Sequence, residues 1–419
     1  MEQPGTVTCD LEGRVRAFDQ EATKVFGYRP EEVVGKRRLQ ALTAGLVAVA
    51  ELPGWLAAAR RDGSFQTVTA LRRADGRSFA AAVTLTSLAD GYTATAQPLP
   101  EMAAEKALPR GLAPRLKAVF TVARVPFLTA TVAPVAFAGA WAWATGIARP
   151  FPWLVFVVAT VAAALLHTAA NLLNDYFDWK SGADPGNNDH FAPFSGGSRS
   201  IELGLLTPKG SMLAGFGAMA AATLLGLGLA LLRGWGLLAF GAVGAFVAWS
   251  YTAPPLRLAA RRGLGELAVG LCFGPLMVAG AVFAMTGQHL WQAYLAGAPL
   301  GALTAAILWI NEIPDLNADR AAGKTNLVVT LGAAGAAKGY VVLLALAFVS
   351  VVAGVATRAM PLWTLLALLS LPLAVRNSRI ALAHYGDRQL VQANAGTIQL
   401  QLVVGMLLTV GAVVAGVWG

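Results

Sequence analysis

Residues 152–178 read PWLVFVVATVAAALLHTAANLLNDYFD, and the fold is decided here. No charged side chain occurs from Pro152 to Asn174. A helix over that stretch rises roughly 35 Å at 1.5 Å per residue, which crosses a hydrocarbon core of about 30 Å. The first charges, Asp175 and Asp178, fall where such a helix leaves the membrane. Comparable apolar runs lie near 125–146, 211–232, 235–253, 265–286, 291–312, 336–356, 360–376 and 396–418. With 152–174 they make about nine transmembrane helices. Of the 419 residues 56% are hydrophobic and 13% charged, with a mean hydropathy of +0.58. A soluble domain carries about 25% charged residues. The deficit begins beyond about Phe120; the first hundred residues hold Asp, Glu, Arg and Lys throughout. The expected architecture is a small α+β domain at 1–100, a linker at 101–119 and an all-α polytopic membrane bundle at 120–419.

Charge placement sets the expected orientation. With the N-terminus in the cytoplasm, the inside loops hold Lys180, Arg199 and Lys209, then Arg257, Arg261 and Arg262. Later inside loops hold Arg320 and Lys324, then Arg376, Arg379 and Arg388. The opposite loops hold Arg149, Arg233 and Arg358, one each. This asymmetry follows the positive-inside rule, and it predicts a multi-pass protein of the cytoplasmic (inner) membrane with a cytoplasmic N-terminus. It also explains the net charge of +9 through a lipid bilayer partner, with no nucleic acid involved. Residues 1–20 lack the apolar core of a signal peptide. Cys9 and Cys272 fall in different regions, so neither a disulfide framework nor a zinc site is expected.

Carboxylates are scarce in the membrane region and gather in two places. NLLNDYFDWKSGAD (171–184) closes the second span, and NEIPDLNADR (311–320) closes the sixth. Asp175 and Asp178 are three apart, and Asp315 and Asp319 four apart, so each pair shares a helical face if the helix persists. Along the same faces His167, Asn171 and Asn174 line the second span, and Thr304 and Asn311 the sixth. Polar stripes on membrane helices face the bundle interior or a wet cavity. Two carboxylate pairs that face each other repel unless a cation lies between them. Oxygen ligands without His or Cys suit Mg²⁺, held through one or two carboxylates plus substrate phosphates. Lys180, Arg199, Arg320 and Lys324 stand nearby, and acid, metal and base together describe a diphosphate site. The plain alternative is a set of solvated loop-end charges; the repeat of the pattern at two equivalent helix ends argues against it. His167 reads as a hydrogen-bonded interior histidine.

The pattern Asn174-Asp175-x-x-Asp178 with Asp315-x-x-x-Asp319 resembles the UbiA superfamily of intramembrane prenyltransferases. The likeness covers 120–419 and is carried by NDYFDWKSGAD (174–184), PFSGGSR (193–199), YTAPPLRLAARRGLGE (251–266) and NEIPDLNADRAAGKTNLVVTLG (311–332). Within the superfamily it is nearest to the 1,4-dihydroxy-2-naphthoate prenyltransferases of menaquinone biosynthesis. The resemblance implies a bundle of about nine spans around a cavity, with Mg²⁺ as cofactor and a polyprenyl diphosphate and an aromatic acceptor as partners. Asp175, Asp178, Asp315 and Asp319 are then the catalytic, metal-holding carboxylates. The family's third Asp falls at Gly182 here, and Asp184, two residues later, is carried over as a further metal ligand. Asn171, Asn174 and Asn311 become neutral substrate contacts. Lys180, Arg199 and Lys324 contact phosphate, and the Gly196-Gly197 pair lets backbone approach it. Tyr251 and the Pro254-Pro255 turn read first as a structural turn, with part of the acceptor site or a mobile cap as the alternatives, and Tyr251 is carried as a substrate-binding candidate. Acceptors other than the naphthoate (4-hydroxybenzoate, chlorophyllide, a lipid precursor) stay open, as does a PAS-linked membrane sensor or transporter.

Residues 10–36, DLEGRVRAFDQEATKVFGYRPEEVVGK, are similar to a PAS domain. A hairpin about Glu12-Gly13 is expected, then a helix near Gln20–Val25. Asp62-Gly63, Asp75-Gly76 and Asp90-Gly91 punctuate short alternating runs like a meander. The region has no histidine for haem, and Cys9 sits outside any flavin-adduct motif. A dimerisation or regulatory module is expected, with a homodimer as one form.

Overall fold

Apolar alternation and turn residues shape the N-terminal part of the computed structural model, which describes residues 3–182 and 197–418. Strands β1 (Gly5–Asp10) and β2 (Val15–Phe18) form the expected hairpin. Asp10 Oδ1 closes its turn by accepting from the amides of Glu12 and Arg14. Helix α1 (Gln20–Phe26) starts at Asp19, whose Oδ1 accepts from Ala22 N at 2.6 Å, and ends on left-handed Gly27. After α2 (Pro30–Val33), α3 (Gly45–Ala50) and α4 (Leu52–Asp62) come β3 (Ser64–Arg72), β4 (Ser78–Leu88) and β5 (Gly91–Pro98). All pairs are antiparallel, in the order β2-β1-β5-β4-β3, with the helices between β2 and β3. This is a PAS-like arrangement. The run before Asp62-Gly63 is helix instead of strand, because Leu52, Trp55 and Ala59 recur at helical spacing and are buried together.

The chain forms two compact units: 1–123 with 198–211, and 124–197 with 212–419. The first therefore includes a segment from the polar stretch after the second span. Arg72 Nη1 donates to the Glu202 carbonyl at 2.7 Å, and a Cβ on Gly45 would overlap the Leu203 carbonyl. Within 101–119, read as linker, the chain turns at Ala104–Ala107 and begins α5 (Leu112–Val122). Lys117 Nζ of α5 donates to the Ala50 carbonyl of α3. Cys9 is buried on β1, and burial pushes its thiol up to about 12.

The second unit is helical: α6 (Val125–Ala144), α7 (Trp153–Ser181), α8 (Pro208–Arg233), α9 (Leu237–Ser250), α10 (Leu264–Thr286), α11 (Trp291–Ala321), α12 (Leu327–Ala356), α13 (Leu362–His384) and α14 (Arg388–Trp418). Among the described residues eight of these are long and apolar enough to cross a membrane, and α9 is shorter. Its 14 residues rise about 21 Å, and the following Pro254-Pro255 stops it. Exposed Trp153, Trp235, Trp291, Trp363 and Trp418 fall at the span ends away from the acidic clusters, as an interfacial aromatic belt does. The protein is thus an integral, multi-pass membrane protein.

Helix α11 is central, packing on α6, α10, α12 and α14. Leu300, Leu303, Ile310, Leu400 and Leu408 are fully buried in the core around it. Gly274 and Gly301 bring α10 and α11 together, since a Cβ on Gly274 would overlap the backbone of Gly301. In a bilayer such small residues give helices their packing contacts. Both acid-bearing helices outrun the apolar runs: α7 continues to Ser181, and α11 passes through Pro314 to Ala321. Proline removes the bond to the carbonyl four residues back, here Ile310. Asn394 on α14 supplies a replacement, its Nδ2 donating to the Ile310 carbonyl at 3.0 Å. Asn394 is fully buried.

Two outcomes follow from these contacts. Asn394→Leu leaves the Ile310 carbonyl unpaired and should cost about 1–3 kcal/mol. In a double-mutant cycle that cost should shrink on Pro314→Ala, which restores the helical bond; thermal unfolding in detergent reads both. Native Cys9 should resist alkylation at pH 8, where a buried neutral thiol is not a nucleophile, and mass spectrometry before and after denaturation checks this.

Candidate active site

Two helix faces build the site. On α7, Leu166, His167, Asn171, Asn174 and Asp178 recur at intervals of one, three and four and line a cavity of about 720 Å³. On α11, Thr304, Leu308, Asn311, Glu312, Asp315 and Asp319 do the same. Continuation of both helices past the apolar run puts these side chains on common faces. Tyr251 and Lys324 join the lining at the acidic end, while Leu237, Phe240 and Ala281 form the apolar wall toward the other end. The π-helical turn Cys272–Leu276, built around Pro275, adds Cys272 and Phe273.

The mouth is organised around a cation. Lys324 Nζ lies 3.0 Å from Asp319 Oδ1 and 3.6 Å from Asp178 Oδ1. Asn174 Nδ2 donates to Asp178 Oδ2 at 3.2 Å, and Asn326 Nδ2 donates to Asp319 Oδ2 at 3.1 Å. Each carboxylate thus has one oxygen fixed by an amide and the other aimed at one shared positive charge. Asn326 also caps α12, its Oδ1 accepting from Val329 N at 2.8 Å. Glu266 reaches the same helix start, Oε1 accepting from Leu327 N at 2.9 Å. Such contacts satisfy the free amides of a helix N-terminus.

The donor set fits Mg²⁺. The mouth offers carboxylate and amide oxygens, which suit a hard cation, and an ammonium already lies between two of the carboxylates. Among the described residues no group of three or more His, Cys, Asp or Glu is placed to hold a metal ion by itself.

The expected site residues divide by position. Asp178, Asp315, Asp319, Asn171, Asn174, Asn311, Tyr251 and Lys324 all line the cavity. Asn171 Nδ2 is buried without a hydrogen bond, and Asn311 Oδ1 accepts from Asn394 Nδ2 at 2.7 Å. Asp175, about 100° around α7 from Asn174, is 2% exposed and lies off the cavity face. Lys180 is exposed, its ammonium 5.8 Å from the Tyr176 ring. Arg199 belongs to the first unit, where its Nε lies 3.2 Å from Glu202. Gly197 lines the cavity in a left-handed conformation. Asp184 and Gly196 lie outside the described residues. His167 is the expected interior histidine, Nδ1 bonded to Thr131 Oγ1 at 2.8 Å. Sequence reasoning missed Glu312, Asn326 and Asn394. The first was legible as a carboxylate on the Thr304–Asn311 face, and Asn326 as a helix-start residue before an apolar run; Asn394 carried no local signal.

Comparison with known proteins agrees with this geometry. A model of the UbiA prenyltransferase family matches residues 132–394. A 1,4-dihydroxy-2-naphthoate octaprenyltransferase of Mycobacterium tuberculosis is 33% identical over 300 residues, spanning 70% of this chain and 96% of that protein. One from Bacillus subtilis is 28% identical over 262 residues, spanning 62% and 82%. The apo structure of a UbiA homolog from Aeropyrum pernix K1 shares the fold, with a TM-score of 0.51 at 19% identity over 70% of this chain and 98% of that one. Matched by the family over more than half its length, with its acidic helix ends brought to one cavity mouth, the chain belongs to the UbiA prenyltransferase family and is an enzyme that transfers prenyl groups.

Proposed function

We propose that the protein transfers a polyprenyl group from its diphosphate to 1,4-dihydroxy-2-naphthoate, with Mg²⁺ as the metal, in a step of menaquinone biosynthesis. The observation that carries the reading is the meeting of Asp178 and Asp319 at one cation position above an apolar cavity. The relatives' names support the naphthoate acceptor. The charge asymmetry of the loops supports placement in the cytoplasmic membrane with the N-terminus and the acidic mouth facing the cytoplasm. The PAS-like unit is read as a dimerisation or regulatory module.

The residues divide the work by charge. Asp178, Asp315 and Asp319 are assigned to the metal, while Asp175 is buried off the cavity face. The three assigned residues would hold Mg²⁺, which would supply Lewis-acid neutralisation of the charge on the departing diphosphate. Asn174 and Asn326 hold one oxygen of Asp178 and Asp319, leaving the other for the cation, and such fixed partners set ligand orientation. Lys324, with Lys180, is assigned to phosphate oxygens. Asn171, Asn311 and Tyr251 contact the substrates below the mouth. Leu237, Phe240 and their neighbours hold the prenyl chain and keep water from the allylic centre.

The test is direct. Full-length protein in nanodiscs, given Mg²⁺ and geranylgeranyl diphosphate, should prenylate 1,4-dihydroxy-2-naphthoate, and Asp178→Ala or Asp315→Ala should lose about 100-fold or more in rate. Product from 4-hydroxybenzoate alone would move the assignment to another branch. A second measurement isolates the cation position. Lys324→Met leaves Asp178 and Asp319 facing each other, so its melting temperature should fall without metal. Added Mg²⁺ should then raise it by more than it raises the wild type. Equal Mg²⁺ responses would remove Lys324 from the metal region.

A further inference from the structure

The cavity contains one carboxyl group that the diphosphate site leaves unused. Glu312 lies three residues before Asp315 and seven before Asp319 on the lining face of α11. It therefore sits about 4.5 Å and 10 Å deeper along the helix axis. The side chain is 9% exposed, and its Oε2 is fully buried with no hydrogen-bond partner. A buried polar atom without a partner carries a desolvation cost of about 1–3 kcal/mol, and a purely structural carboxyl normally escapes it by pairing. The nearby Glu266 escapes it in part, with Oε1 bonded to the start of α12 although its Oε2 is likewise buried without a partner. Glu312 makes no such bond with either oxygen, and the residue lines the cavity.

Position and chemistry name the ligand. The reacting C1 of the prenyl chain is attached to the diphosphate, immediately on the membrane side of the Asp315–Asp319 level. That is the depth of Glu312. One oxygen of a carboxyl group accepts a hydrogen bond in either protonation state, so the matching group is a hydroxyl donor. A carboxylate substituent would be repelled by the aspartates above it. Tyr251 lines the same cavity from the end of α9. Its phenol is a hydroxyl that can donate or accept a hydrogen bond.

Building on the proposed aromatic acceptor, we propose that Glu312 binds a ring hydroxyl of that acceptor and, with Tyr251, fixes which ring carbon faces C1 of the prenyl chain. Glu312 is thus an acceptor-binding residue, separate from the carboxylates that serve the diphosphate. Acceptors with a free hydroxyl are selected, and the carboxylate-bearing edge of the ring is turned away from α11.

The test uses full-length protein in nanodiscs and reads acceptor and diphosphate separately. Equilibrium binding of 1,4-dihydroxy-2-naphthoate is followed by tryptophan fluorescence without prenyl diphosphate. KM values are then measured for the naphthoate and for geranylgeranyl diphosphate. Loss of one such hydrogen bond in Glu312→Leu should raise the acceptor Kd and KM about tenfold or more, leaving the diphosphate KM unchanged. Glu312→Gln, which keeps an accepting oxygen, should recover most of the affinity. On the wild type, O-methylation of the acceptor should produce the same loss, and Glu312→Leu should no longer distinguish the methylated from the free compound; the methyl ether on wild type alone tests the bond if the leucine variant does not fold. Unchanged acceptor affinity in Glu312→Leu, or indifference of wild type to O-methylation, overturns the inference. So does a parallel loss of diphosphate affinity, which would place Glu312 in the metal site. Transfer to no hydroxyarene by wild type that still binds geranylgeranyl diphosphate would instead overturn the functional reading, and this inference with it.

Discussion

Two carboxylates from helices distant in sequence share one cation, and the rest of the site follows from that requirement. Asp178 and Asp319 are 14% and 11% exposed, and Lys324 lies between them at 11%. At such low exposure like charges are weakly screened, so the helices can meet there only with positive charge between them. The geometry is correspondingly regular: an asparagine amide holds the outer oxygen of each carboxylate, and the ammonium takes the other. A position that already tolerates one cation suits exchange for a metal and its diphosphate.

Bringing the carboxylates together requires α7 and α11 to persist beyond their apolar runs. Without water, every backbone group must find an internal partner. Pro314 would break that rule at Ile310, and Asn394 restores it from a helix eighty residues away in sequence. The same asparagine bonds Asn311 Oδ1, so one buried amide supports both the helix and its polar face. Tryptophans serve similarly, with Trp309 Nε1 donating to the Ala336 carbonyl at 2.7 Å and Trp141 Nε1 to the Ala359 carbonyl at 2.8 Å. Asn394 is thus a buried polar side chain that repairs backbone, whereas Glu312 is one that lines the cavity.

The N-terminal unit has an analogous economy. Its sheet buries alternate residues, and its meander is set by Asp-Gly turns. It also takes in Ser198–Ser211, through the Arg72 bond to the Glu202 carbonyl and the close approach at Gly45. Gly204 turns in a left-handed conformation beside the Arg72 guanidinium. A stretch belonging by sequence to a connection between membrane helices is therefore part of the PAS-like unit's own packing.

The sequence alone determined the membrane class, the span pattern and the two acidic clusters, because apolar length and charge scarcity are local properties set by the bilayer as solvent. Turn chemistry likewise made the β1–β2 hairpin and the β3–β4–β5 meander readable. It left α4 unread, since a short helix ahead of a turn resembles any apolar run. The tertiary structure decided what depends on distant partners. Asp178 came to face Lys324, and Asp175 lay off the cavity face, although spacing treats both alike. Whether α11 survived Pro314 rested on Asn394. That the carboxyl group of Glu312 stands unpaired in the cavity while that of Glu266 caps a helix could be seen only once the helices were packed. Hydrophobicity acts residue by residue, but pairing of charge and hydrogen bonds acts between elements, and only the fold chooses those partners.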